Sequence, residues 1–379
     1  MPIPCLATST ALLTLVLAGG TLPPRLRLLR AFPDAAAALR AGPSAWRAAG
    51  CTPAQRARLA LPDEHYLARG LAWLAEDQHH LLGLTDPDYP ALLAQIDEPP
   101  LALFVDGEPA RLWHPAVAVV GSRSPTPGGR EHAHAFATAL ALDGWSVVSG
   151  LATGVDAQAH DAALQVTGGM TVAVVATGLE QTYPRQHAAL HGRIAGNGAV
   201  VSEYPPGMPA IQAHFPARNR IIAGLSLGTL VIEAAERSGA LITARCAAEA
   251  GREVFALPGS IRNARARGCH RLIRQGAALV EEPAEVTTGL TALAQTLAGA
   301  LRSRLDAPTE QARPALKSAP SYTDPDYQCL WKALDDDPTG MDSLIQRSGL
   351  TAAQLSAMLL VMELDGKVMA AYGRYCRKP

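Results

Sequence analysis

From residue 115 onward the chain repeats one pattern. Apolar runs of Val, Ala, Ile and Leu occur in PAVAVVGSR, WSVVSG, TVAVVATG, GAVVSEYPPG, LGTLVIEAA and REVFALPG. Within each run polar residues do not alternate with apolar ones, which predicts strands buried on both faces. Helix-length segments separate them, at 128–142, 154–167, 184–195, 214–225 and 238–251. Strands alternating with helices predict a parallel sheet with right-handed crossovers. A seventh short run, AALVEE at 277–282, closes the series. The expected fold class is α/β, with an extended Rossmann-like parallel sheet at its centre.

The flanks read differently. Residues 1–75 alternate short apolar helices with the breakers AGG, FPD, AGP, GCTP and LPD, and so predict a small all-helical domain. The pair around Gly19-Gly20, with its second helix from Pro23 to Ala31, resembles a helix-hairpin-helix (SAM-like) unit. It serves either as a DNA-backbone contact or as a packing module. Residues 80–285 form the expected Rossmann-like domain. Residues 286–321 are a helix and linker: a helix runs over 284–303, and LDAPTEQARPALKSAPS is rich in Pro, Ala and charge. Residues 322–379 predict three helices, near 324–335, over MDSLIQRSG and over TAAQLSAMLLVMELDG, followed by an alternating hairpin: a winged helix. Thr351 is the expected N-cap of the third helix. The wing carries Lys367, Arg374, Arg377 and Lys378, and either DNA or protein suits such a module.

Composition narrows the field only slightly. At 379 residues the chain exceeds one typical domain, and its formal net charge of −1 does not announce nucleic acid. A local basic cleft is compatible with that balance, because net charge and its distribution are separate quantities. The six cysteines (Cys5, Cys51, Cys246, Cys269, Cys329 and Cys376) form no CxxC pair. Neither a metal site nor a disulfide framework is expected, and the chain reads as reduced and cytoplasmic. His79-His80 reads as a solvated pair. ALLTLVLAGG lacks the basic flank of a signal peptide and reads as a helix; no run is long enough to span a bilayer.

The chemistry is expected at one edge of the sheet. GSRSPTPGG, SGLATGVD, TGLEQTYPR, SEYPPG, EAAERSGALITA and PGS all follow strands, which places them together at the carboxyl ends, where open α/β sheets bind ligands. Gly and Ser there allow backbone N–H groups to approach an anion, and helix N-termini favour negative charge. GSRSPTPGG is not GxGxxG, no acid ends the second strand, and GxxxxGK[ST] is absent, so NAD chemistry and P-loop ATP hydrolysis are not expected. Asp156 and His160 share a helix face, as an acid–base pair or as a local hydrogen bond. Arg123, Arg185, Arg218 and Arg220 converge on the edge from several loops. A backbone-tracking polyanion would use them all, although Arg220 also suits an ion pair with Glu233 or Glu203.

In order and spacing, GSR, SGLATGVDAQAH, ATGLEQTYP, SEYPPG, FPARNRIIAGLS, EAAERSGALITARCAAEAGREVFALPG and GCHRLIRQGA resemble the DNA-processing protein A (DprA, or Smf) family. The resemblance is dense over residues 80–285. It implies a cytoplasmic protein that binds single-stranded DNA, loads the RecA recombinase onto it in natural transformation, and works as a homodimer. Single-strand-binding protein is a further candidate partner, and neither a cofactor nor turnover is implied. Taken residue by residue, it implies DNA contacts at Arg123, at Arg185, and at Arg218 or Arg220. Gly121, Ser122, Ser149, Gly150 and Asn219 complete the candidate surface. One departure is visible: His187 stands where the family commonly has Asn. In GCHRLIRQGAALV, His270, Leu272, Arg274 and Leu279 form the expected dimer or partner surface, while Ile273 suits packing on the chain's own sheet. A competing reading is enzymatic. SLGTLVIEA is similar to the GGxGTxxE motif of nucleoside monophosphate phosphoribohydrolases, with Glu233 as the acid but without the preceding Gly-Gly.

Overall fold

The computed structural model describes residues 6–306, 325–334, 339–351, 355, 358–359, 362, 367–371 and 374–377. Two compact units divide the chain, residues 1–305 and 306–379.

In the first unit six helices lead: α1 (Leu6–Leu17), α2 (Leu22–Arg30), α3 (Ala35–Arg40), α4 (Gly42–Ala48), α5 (Pro53–Ala60) and α6 (Glu64–Trp73). Local chemistry sets their ends. Asp34 and Asp63 accept backbone N–H groups at the starts of α3 and α6, and Thr52 and Gln55 form a reciprocal capping box on α5. The α1–α2 turn runs through Gly19 and Gly20, at φ +62° and +66°. These are left-handed values that glycine adopts without steric penalty. The helices do not stand apart. Leu13, Leu15, Trp46 and Trp73 share one core with Phe104, Val175, Ile194 and Val200 of the sheet layer.

Nine strands form that sheet: β1 (His79–Gly83), β2 (Ala102–Gly107), β3 (Ala116–Val120), β4 (Ser146–Ser149), β5 (Thr171–Val174), β6 (Ala199–Ser202), β7 (Gly228–Val231), β8 (Glu253–Ala256) and β9 (Ala278–Leu279). The order is β1-β2-β6-β5-β4-β3-β7-β8-β9; β3 to β9 run parallel, while β2 pairs antiparallel with both β1 and β6. The crossovers are α8 (Pro127–Leu142), α9 (Val155–Gln165), α10 (Ala188–Asn197), α11 (His214–Gly224), α12 (Ala240–Glu249) and α13 (Arg267–Arg274), and short α7 (Ala91–Ala94) lies between β1 and β2. α14 (Pro283–Asp306) completes the unit, with Val286 and Leu290 buried against Phe255 and Leu230.

Two strands are additions to the sequence reading. HHLLG and ALFVDG pair as β1 and β2 and extend the edge beyond β6. His79 is therefore not a solvated residue: its ring stacks on Trp73 at 3.9 Å, and its Nδ1 lies 2.7 Å from the Trp73 carbonyl. His80 is half-buried as well, and burial lowers its pKa.

In the second unit α15 (Pro325–Ala333) and α16 (Met341–Ser348) accompany a three-stranded sheet. Its strands are β10 (Thr339–Gly340), β11 (Val368–Ala371) and β12 (Arg374–Arg377), with β12 between the other two. Leu330, Leu344, Leu355, Leu359, Met362 and Val368 form its core. The linker at 307–321, most of the expected third helix and Lys378 lie outside the described residues.

Candidate nucleic-acid interface

The strand order fixes where a ligand can sit. The chain builds β3, β4, β5 and β6 outward in one direction, then returns through α11 to place β7 on the other side of β3. The carboxyl ends of β3 and β7 thus flank the switch point, where crevices open in such sheets. A cavity of 440 Å³ lies there, and Gly121, Ser122 and Arg123 after β3 line it together with Arg237 to Ala240 after β7. Phe215, Arg218 and Asn219 of α11 contribute to the same lining.

The loop after β3 is held from below. Glu233, only 7% exposed, accepts the backbone N–H of Thr126 at 2.9 Å and its hydroxyl at 2.6 Å. Asn263 Nδ2 reaches the same carboxylate at 3.4 Å. Thr126 in turn caps α8 by accepting from Gly129 N–H at 3.0 Å. A side chain on Gly129 would strike the Glu233 carboxylate, which is why glycine stands there. The acid that the enzymatic reading requires is therefore engaged in tying the two loops of the switch point together.

Beneath the crevice lie a buried guanidinium and a buried carboxyl. Arg218 is 4% exposed, and its Nη1 donates to the carbonyls of Gly150 (2.7 Å) and Val174. Asp156 accepts the N–H groups of Gly150 (3.2 Å) and Ala152 (3.4 Å). Burial pushes the Asp156 carboxyl up against the attraction of Arg218, and pulls the Arg218 guanidinium down to about 10. His160 is wholly buried and held neutral by burial, at about 3; its Nδ1 lies 2.7 Å from Thr171 Oγ1. Asp156 and His160 thus have separate partners, and each makes its own structural hydrogen bonds rather than pairing with the other. Leu151 sits at φ +55°, unusual for a residue with a side chain. His187 meets the Leu151 carbonyl through Nδ1 at 2.9 Å.

The candidate residues therefore separate by depth. Arg123 and Arg185 are exposed, and the Arg123 guanidinium lies 5.9 Å from the centre of the Phe215 ring. Gly121, Ser122 and Asn219 line the crevice, with Asn219 Nδ2 donating to the Gly239 carbonyl at 3.3 Å. Ser149 lies below it, fully buried, donating its hydroxyl to Val119 O at 2.7 Å, and Gly150 is packed against Arg218. Arg218 is a buried floor rather than an exposed cation. Arg220 is held in a bidentate pair with Glu203 at 3.1 and 2.7 Å, which resolves the two acids considered for it in favour of Glu203. Sequence reasoning missed Arg130, Arg237 and Arg265. Arg237 joins the crevice, and Arg130 and Arg265 line a second cavity of 420 Å³ that reaches Arg123 from its other side, beside Gln186 and His187. No apolar pattern marks those three arginines, since each lies in a loop or on a solvent-facing helix turn.

The expected partner surface also divides. Leu272 is 9% exposed and belongs to the sheet's core, so it is not surface; Ile273 packs against that core. Leu279 is 47% exposed on the edge strand β9. Arg274 is exposed, and His270 Nε2 lies 2.9 Å from Gly259 O.

Fold and crevice together define an extended Rossmann-like protein with a basic switch-point cleft and a winged-helix module. Residues 80–291 match the family model for DNA recombination-mediator protein A, and residues 308–374 match the DprA winged helix domain. Protein Smf of Escherichia coli is 42% identical over 310 residues, covering 81% of this chain and 79% of that one. The DNA processing protein DprA of Streptococcus pneumoniae is 46% identical over 203 residues, covering 54% and 71%. The X-ray structure of the Streptococcus pneumoniae protein superposes with a TM-score of 0.67 at 37% identity, covering 75% of this chain and 98% of that one. That of Helicobacter pylori DNA processing protein A, described for its single-stranded DNA binding mode, gives 0.51 at 29%, covering 57% and 96%. The chain belongs to the DprA/Smf family of DNA-processing proteins.

Proposed function

We propose that the chain binds single-stranded DNA along the carboxyl edge of its sheet and delivers it to the RecA recombinase during uptake of DNA in the cytoplasm. The observation that carries this reading is the Arg123 loop. It projects an exposed cation between two cavities whose linings add Arg237 on one side and Arg130 and Arg265 on the other, and exposed Arg185 directly precedes Gln186 and His187 of the second. A mononucleotide needs one or two such groups, whereas a strand tracked by its phosphates uses a row of them. The Helicobacter pylori relative, described for its single-stranded DNA binding mode, supports the same ligand. Binding without turnover is the better reading, because both oxygens of Glu233 hold Thr126. Anisotropy titrations with oligo-dT and with a duplex of equal length test the assignment. Single strands are expected to bind more tightly, and incubation with nucleoside monophosphates is expected to release no base. Equal duplex affinity, or release of free base that Glu233→Gln stops, would contradict it.

Assembly as a homodimer belongs to the same proposal. β9 ends the sheet and exposes Leu279, and an isologous contact across that edge would place one residue twice near the axis. Leu279→Glu should then give monomers by light scattering with an unchanged circular-dichroism spectrum; a persistent dimer would locate the interface elsewhere.

A further inference from the structure

A larger cavity, of 770 Å³, opens between the N-terminal helices and the end of β6. Its polar walls are already committed. Arg25 donates to the carbonyls of Leu15, Val16 and Gly20, closing off the end of α1, and Glu203 is held by Arg220. Apart from the exposed Arg58 and Asp63, what remains toward the space is aromatic and apolar. Tyr204 and His214 stack on each other at 3.8 Å, and Tyr66, Pro205 and Met208 complete the lining. His214 Nδ1 is buried without a hydrogen-bond partner among the described residues. An aromatic-lined pocket suits a planar group that can stack.

The position says which group. His214 lines this cavity, and the next residue, Phe215, lines the switch-point crevice. The first turn of α11 is thus the partition between the two, and a helix is only about 10–12 Å across. Arg58, exposed at the outer rim, supplies a cation on the far side. Resting on the single-strand reading above, we propose that this cavity is a nucleobase pocket of the same interface: a strand held by its phosphates at Arg123 passes over the start of α11 and lodges one unstacked base beside Tyr66, Tyr204 and His214.

The test uses oligo-dT carrying a single 2-aminopurine, whose emission falls when it stacks. The unaltered chain is expected to quench it and to bind the oligonucleotide more tightly than all-thymine strands too short to reach across α11. Tyr66→Ala should restore emission and weaken binding by about tenfold, the scale of one lost base–aromatic stack. Leu61→Glu, at a rim position 77% exposed, cannot disturb the core. It should weaken binding by setting a carboxylate against the strand. Arg123→Ala should weaken long and short strands alike. If Tyr66→Ala and Leu61→Glu both bind and quench like the unaltered chain while Arg123→Ala binds poorly, the strand does not reach this cavity and the proposal is overturned. Quenching of free 2-aminopurine nucleotide that oligo-dT does not displace would assign the pocket to a free nucleotide and overturn it equally. Failure of the unaltered chain to bind any oligonucleotide would sink the single-strand reading itself, and the nucleobase pocket with it.

Discussion

Arg218→Ala is expected to lower the unfolding free energy by about 3 kcal/mol or more, the scale of losing two buried hydrogen bonds from a charged donor at about 1.5–3 kcal/mol each. The guanidinium joins three segments that otherwise have no reason to stay together. It sits on α11, donates to Gly150 after β4 and to Val174 at the end of β5, and attracts the Asp156 carboxyl at the start of α9. Truncation removes that donor from two carbonyls and the attraction of a nearby cation from a buried carboxyl. That carboxyl would then take up a proton, since burial already pushes its pKa up. Urea denaturation followed by circular dichroism measures the loss. A variant as stable as the parent but poor in DNA binding would mean that Arg218 turns outward to meet phosphate, against the geometry described here.

The largest expected effect on binding belongs to Arg123→Ala combined with Arg185→Ala. A hydrogen bond to a charged group contributes about 1.5–3 kcal/mol, and about 1.4 kcal/mol is one decade in affinity. Each substitution should therefore weaken oligo-dT binding by about tenfold or more, and the pair by about a hundredfold if the sites act independently. Both side chains are exposed and neither has an ion-pair partner among the described residues, so stability should stay within about 0.5 kcal/mol of the parent. Anisotropy titrations give the affinities, and a thermal melt checks the fold. The Arg218 and Arg123/Arg185 variants thus separate the floor of the crevice from its exposed cations.

Much of this arrangement was legible in the chain itself. The uninterrupted apolar runs of β3 to β8 announce strands buried on both faces, and the glycine-rich segments after them locate the functional edge. β1 and β2 were not legible. HHLLG begins with two histidines that look solvated, and only the stacking of His79 on Trp73 and the pairing with β2 bring them inside. Depth within the site was equally hidden. RNR in FPARNR shows three polar residues, but helix geometry points Arg218 under the sheet edge and Arg220 toward Glu203. Ser149 looks like a loop serine and proves to be a strand residue bonded to Val119. Leu272 and Leu279 are both apolar, yet one faces the core and the other the solvent, because a helix and an edge strand present them differently. Sequence spacing records which residues reach the edge; burial decides which of them remain free for a ligand.

The salt dependence of oligo-dT affinity, measured for the unaltered chain and for Arg123→Ala, tests the central claim most directly. If exposed arginines along the sheet edge neutralise successive phosphates, the logarithm of affinity should fall with that of salt by about 0.7 per phosphate contacted, and Arg123→Ala should flatten that slope by about one contact. A flat response in the unaltered chain, or an unaltered slope in the variant, would contradict a phosphate-tracking interface at this edge.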